Sequence, residues 1–216
     1  MSVEKIVFRS FLCTLAAIAM LLVFMTGVLV AVYPETMMNI AYDMGMEKSS
    51  VWFAERAYKR HDKIDTIAFA ITVAIEEDMY DKVISCGDKM IVDDEFGGYC
   101  EKKDLENYAT YGDQEIDGMP IIKIIGEYDQ YIYAQISVAQ YKMGDTDGAV
   151  ERAVALTEGF PRNNAVACLL LEAEKRADET LIQTLREQME SFDQSDWSED
   201  DKAYYGEICA VVEPNA

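Results

Sequence analysis

Ser10 to Tyr33 is a run of 24 residues without a charged side chain. As a helix it would extend ~36 Å at ~1.5 Å per residue, enough to cross a ~30 Å hydrocarbon core with some tilt. A segment this long and apolar belongs in a bilayer, in a cleaved leader or in a buried core. The leading reading is an uncleaved anchor. A signal peptide normally has an apolar core of ~7–15 residues and small residues ahead of its cleavage site. Here the best such site ends at Ala31 and has Leu29 where a small residue belongs. A buried core helix is the third alternative. Cys13 does not suit a lipoprotein cysteine, because most of the apolar run follows it. Thr14, Thr26 and Gly27 form no clean small-xxx-small packing motif.

The flanks give an orientation. Lys5 and Arg9 precede the run with Glu4, whereas the first charges after it are Glu35, Asp43 and Glu47. The positive-inside rule then places residues 1–9 in the cytoplasm and the long C-terminal part outside. Pro34 is expected to end the segment, with Tyr33 as an interfacial aromatic.

Charge narrows the function classes. The chain holds 19 Lys+Arg against 40 Asp+Glu, a net charge of -21 that would repel a phosphate backbone and so excludes nucleic acid as a partner. Beyond residue 34 the net charge is -22. A hydrophobic content of 50% excludes a disordered acidic tail, which lacks the apolar surface to offset ordering entropy. His61 is the single histidine, so multi-histidine metal sites are excluded.

After the anchor, apolar residues recur at helical spacing. Val51, Ala54, Ala57 and Tyr58 share a face, as do Ile64, Ile67, Ala68, Ile71, Ala74 and Ile75. Further stripes run through Val83, Ile84, Met90 and Ile91; Ile132, Ile136, Ala139 and Tyr141; Val150, Ala153, Val154 and Leu156; and Val166, Leu169, Leu170 and Ala173. Turn residues separate them at Met44-Gly45, Glu77-Asp78, Gly144-Asp145 and Phe160-Pro161. No alternating run is long enough for a convincing strand. The pattern predicts an all-α domain of paired helices.

Residues 130–163 form the clearest unit. Tyr133, Ile136 and Tyr141 are followed by Gly144-Asp145, then Ala149-Val150, and Pro161 closes the unit. These residues fall at the offsets of a 34-residue tetratricopeptide repeat, and the unit resembles that family. It departs from the pattern at Ser137, where a smaller residue is usual, and at Leu156, where alanine is usual. Weaker copies span about residues 31–63, 64–97 and 164–197, with a capping helix at 199–212. The organisation is then a transmembrane helix at 10–33, helical repeats at 35–97, an irregular insert at 98–120, and tetratricopeptide-like repeats at 121–212. Ile121 to Tyr128 is expected to begin a long helix entering the clearest unit. Gly97-Gly98, Gly112, Gly118 and Pro120 mark the insert. The resemblance implies an all-α solenoid of helical hairpins, in which stacking buries a core that no single pair can bury. It also implies a concave peptide groove on the first helix of each unit. In this register Tyr131, Ala134, Val138, Tyr141 and Lys142 face that groove, where tyrosine suits an interface and Lys142 could hold a carboxylate.

Other features weigh less. Residues 76–117 carry 14 acids against four bases, and 190–201 add six acids and no base. A solvated surface is the plain reading; a face steering a basic partner is the second. Calcium suits Asp145-Thr146-Asp147-Gly148 poorly: an EF-hand aligned on Gly148 would begin at Met143 and end at Val154, where acids are required. Arg56, Lys59, Arg60 and Lys63, with His61, are the basic cluster. It reads as a solvated helix face, with headgroup contact as the alternative. Cys86, Cys100, Cys168 and Cys209 permit three disulfide connectivities, or buried free thiols. Cys86–Cys100, bracketing Gly97-Gly98, is the favoured bridge if any forms. No C-x-x-C, zinc spacing, G-x-S-x-G or phosphate loop occurs, so no metal, cofactor or catalytic residue is expected.

The sequence thus points to a non-enzymatic, membrane-anchored extracytoplasmic scaffold that binds a protein or peptide. An accessory structural subunit of a larger membrane complex is the alternative. An enzyme with an unrecognised carboxylate site is the third.

Overall fold

The computed structural model describes residues 3–116, 119–120, 126–155, 164–191, 194, 195, 197, 199, 202 and 203. Among these residues the fold is all-α, with ten helices. They are α1 Val3–Val32, α2 Pro34–Asp43, α3 Glu47–His61, α4 Ile64–Glu76, α5 Tyr80–Ile91, α6 Phe96–Tyr111, α7 Tyr128–Lys142, α8 Thr146–Val154, α9 Asn164–Lys175 and α10 Glu179–Glu190. A two-residue antiparallel pair, β1 Glu115–Ile116 with β2 Met119–Pro120, is the extended structure among the described residues. The chain divides into two compact units, Met1–Ala70 and Ile71–Ala216, with the boundary inside α4.

In the first unit, Phe11–Val32 of α1 is long and apolar enough to cross a membrane, and none of it is buried. Proline acts at its end in two ways. It lacks an N–H and so stops α1, yet its fixed φ suits the first position of a helix, and Pro34 opens α2. Tyr33 between them is non-helical, at φ -127° and ψ 58°. Its N–H still donates to Leu29 O at 2.8 Å, and its carbonyl accepts from Met37 N at 3.1 Å, so no linker separates α1 from α2. α2 and α3 form a hairpin that buries Met38, Ala41, Ser50, Val51, Ala54 and Ala57. The Ser50 hydroxyl is satisfied by Glu47 O at 2.7 Å. Lys63 closes the open end of the hairpin by pairing with Glu35 at 2.9 Å.

In the second unit, α4 and α5 meet α7 through Ala74, Val83 and Ala139. α5 packs directly on α7. That approach depends on Gly87: a Cβ there would stand 2.5 Å from the Ile136 side chain. α7, α8, α9 and α10 share one core built from Ala149, Ala153, Val166, Leu169, Leu170, Leu181 and Leu185. Ser137 explains its own departure from the repeat pattern. It is fully buried, and its hydroxyl donates to Ala149 O at 2.6 Å, joining α7 to α8. Arg152 ties α8 to Asp88 of α5 at 2.7 Å.

One turn recurs. Gly45, Asp78, Gly144 and Ala177 all have left-handed φ, at 66°, 53°, 91° and 53°. They are spaced by 33, 66 and 33 residues. After each, the next N–H donates to the carbonyl five residues back: Met46 to Ala41, Met79 to Ala74, Asp145 to Gln140 and Asp178 to Ala173, at 2.8–3.0 Å. This is the six-to-one bond of a Schellman C-cap, which satisfies carbonyls left open at a helix end. The repeat length measured between turns is therefore 33, one fewer than the sequence offsets suggest. A left-handed alanine is strained, because Cβ crowds the backbone, whereas glycine is not. Ala177→Gly is expected to stabilise the protein by about 0.5–1 kcal/mol, measured by denaturant unfolding of the full chain in detergent micelles. A decrease would show that this turn tolerates the side chain without strain.

Residues 98–120 depart from expectation. Rather than an irregular insert, they form most of α6 and the β1–β2 pair. Gly97 and Gly98 lie in the first turn of α6, where lost helix propensity costs little, and neither has a neighbour near a would-be Cβ. A fifth member of the turn series would fall at Tyr111. There Gly112 stays right-handed at φ -57°, and no second helix of a pair follows directly. The long helix expected from Ile121 begins instead at Tyr128, because Gly126 is left-handed and Glu127 is extended. Residues 121–125, the Phe160-Pro161 break and most of the 199–212 cap lie outside the described residues.

Candidate functional site

α7 carries all five groove positions expected from the sequence, and the fold divides them. Tyr131 is 37% exposed, and Val138 and Lys142 are half-buried. Ala134 and Tyr141, at 1% and 6%, belong instead to the core shared with α9 and α10. The helical register put them on the correct stripe of α7, but α9 packs over that stripe. Tyr141 is a tie rather than a contact surface. Its hydroxyl donates to Asp178 Oδ2 at 2.8 Å, and Arg176 lies 4.9 Å from its ring centroid. Burial, then the bond to Asp178, raises the pKa of this phenol above its ordinary value.

Val138 and Lys142 line a recess of about 70 Å³ with Ile75, Asp78, Tyr80 and Ala139. That is room for about two waters, not for a peptide side chain of any size. Lys142 is also committed. Its ammonium lies 5.1 Å from the Tyr80 ring centroid and 3.6 Å from Glu172. Glu172 also faces Lys175 at 3.6 Å and Arg176 at 3.5 Å, so three cations surround one carboxylate. Lys142 is thus partnered within the fold and is a poor receptor for an incoming carboxylate.

The more open feature is an aromatic row at the start of α7. Tyr99 of α6 meets Tyr128 edge-on at 5.7 Å, and Tyr128 meets Tyr131 at 5.7 Å. Asp104 fixes α6 to this end of α7 by accepting from Tyr128 N at 2.8 Å. Lys103 stands over the Tyr99 ring at 5.6 Å. Tyr131 lies near Glu76 of α4 and Cys168 of α9, so its half-exposed ring borders three helices. Burial pushes the pKa values of Tyr128 and Tyr131 upward, which keeps both phenols neutral hydrogen-bonding groups. The i, i+3 spacing of Tyr128 and Tyr131 is legible in the sequence; the part played by Tyr99 depends on α6 folding back onto α7.

The cysteines do not support the favoured bridge. Cys86 and Cys100 are both buried and free, and Cys168 is free. Gly97-Gly98, expected as a turn that would bring the two sulfurs together, is helical. Burial, with Asp129 and Asp104 nearby, raises the Cys100 thiol to about 12, and burial also raises Cys168. Neither thiol is prepared as a nucleophile, which requires a lowered pKa. Cys209 lies outside the described residues. Among the described residues no group of three or more His, Cys, Asp or Glu is placed to hold a metal ion. Compared with known proteins, the chain matches no family model, no curated protein and no solved structure.

Proposed function

We propose that this protein is a membrane-anchored scaffold whose extracytoplasmic helical array resembles tetratricopeptide repeats and binds a protein or peptide. The observation that carries this reading is the recurrence of one turn geometry at Gly45, Asp78, Gly144 and Ala177 in multiples of 33 residues. Repeated helix–turn–helix units of this size characterise solenoids, whose stacked faces serve recognition rather than chemistry. The anchor supports a membrane location, and its flanking charges support a cytoplasmic N-terminus. Tyr131 and the tyrosine row behind it are the best contact surface, together with Leu171 of α9, which is exposed. The acidic balance favours a basic partner, recruited faster at low salt.

The test is photo-crosslinking in intact membranes. A photoreactive residue at Tyr131 and another at Leu171 are expected to capture the same protein, while one at Leu105, exposed on α6, does not. Absence of any adduct from both α7 and α9 positions, in protein retained by the membrane, would sink the recognition surface.

A further inference from the structure

We propose that the face of α3 bearing Arg56, Lys59 and Arg60 binds anionic phospholipid headgroups at the end of α1 from which α2 departs. This rests on α1 spanning a bilayer, as proposed above.

The charge distribution singles out this face. Residues 1–70 contain seven basic and seven acidic side chains, so the whole net charge of -21 lies beyond Ala70. Within this neutral unit, the basic residues of α3 are segregated. Lys48, Trp52, Arg56, Lys59 and Arg60 are exposed. At about 100° per residue they occupy an arc of about 120° on the helix. Glu55, at the margin of that arc, is half-buried. Among the described residues, Arg56, Lys59 and Arg60 make no ion pair within the protein. Arg56 instead stacks 5.4 Å from the ring centroid of Trp52, itself 48% exposed. Solvated surface arginines and lysines in an acidic chain usually find carboxylates; these three are left with their donors open.

Their position supplies the partner. α2 begins one residue after α1 ends, and α3 returns along it. The ion pair of Lys63 with Glu35 then holds the C-terminal end of α3 beside the residue that follows Pro34. Lys59 and Arg60 lie in the last turn of α3, so they are held next to the point where the apolar helix ends. Headgroup phosphates occupy that depth in a bilayer. Arginine recognises phosphate through paired N–H donors, and tryptophan is enriched at the same depth with its ring among the headgroups. A basic cluster next to a membrane-spanning helix is attracted to anionic lipid in proportion to its charge.

The full chain, reconstituted in phosphatidylcholine bilayers containing phosphatidylglycerol, provides the test. Spin-labelled lipids report the preference of the protein for phosphatidylglycerol over phosphatidylcholine. The wild type is expected to prefer the anionic lipid by about twofold or more, and Arg56→Gln/Lys59→Gln/Arg60→Gln to lose most of that preference. Lys5→Gln/Arg9→Gln, at the other end of the apolar run, should remove only the share owed to the opposite leaflet. An unchanged preference in a triple variant that keeps its helical circular dichroism would overturn the headgroup site alone. The same holds for a wild type without preference. Failure of the wild type to float with vesicles after an alkaline wash would overturn the anchor reading, and this proposal with it.

Discussion

Replacing Gly87 with leucine is expected to destabilise the protein by about 3 kcal/mol, the upper end of what inserting methylenes into a packed core costs. The position lies in α5, where glycine is otherwise a poor choice, since alanine there would gain about 1 kcal/mol of helix propensity. Packing reverses that preference. Even one methyl carbon would sit 2.5 Å from Cδ1 and Cγ1 of Ile136, and Ile136 is fully buried with nowhere to move. Gly87→Ala is therefore expected to lose about 1 kcal/mol rather than gain it. Ile136→Ala alone should cost about 2–5 kcal/mol through the cavity it leaves. In the double variant Gly87→Leu/Ile136→Ala the new side chain fills that cavity. Its loss, read by denaturant unfolding of the full chain in micelles, should fall well short of the sum of the two single losses. Strict additivity would mean that α5 and α7 do not meet through this pair.

Asp178→Ala is the second large effect, expected at about 2–3 kcal/mol. One carboxylate does two things here. Oδ1 accepts from Leu181 N at 3.1 Å and caps α10, while Oδ2 accepts from the Tyr141 hydroxyl at 2.8 Å. Loss of a cap costs about 1 kcal/mol, and an unpartnered buried hydroxyl adds about 1–2 kcal/mol. Tyr141→Phe separates the two, because it removes only the second bond and should cost about 1 kcal/mol. A Tyr141→Phe loss equal to that of Asp178→Ala would show that the cap contributes nothing.

The same residue shows how far the sequence could be read. Tyr141 and Asp178 are 37 residues apart, and nothing local signals their bond. Helical periodicity places Ala134 and Tyr141 on one stripe of α7, but which stripe a neighbouring helix covers is decided by tertiary packing. Hence the groove assignment holds for the exposure of Tyr131 and fails for the two residues beneath α9. The turns were more legible. Gly45, Asp78 and Gly144 are glycine or aspartate, residues that take left-handed backbone readily, whereas Ala177 carries no such signal and emerges only from the fold. Paired glycines at 97 and 98 suggested disorder of pattern; in a first helical turn they are merely weak.

The excursion through α6 and the β1–β2 pair has a kinetic consequence. Each hairpin joins helices separated by a three-residue or shorter turn, and such local contacts form early, because little loop entropy is lost. The seam between α5 and α7 is different. Gly87 must find Ile136 across the whole detour, and Asp88 must find Arg152 from 64 residues away. This is the most expensive loop to close in the second unit and so the last step of its assembly. Substitutions at Gly87 should therefore quicken unfolding and leave the folding rate nearly unchanged.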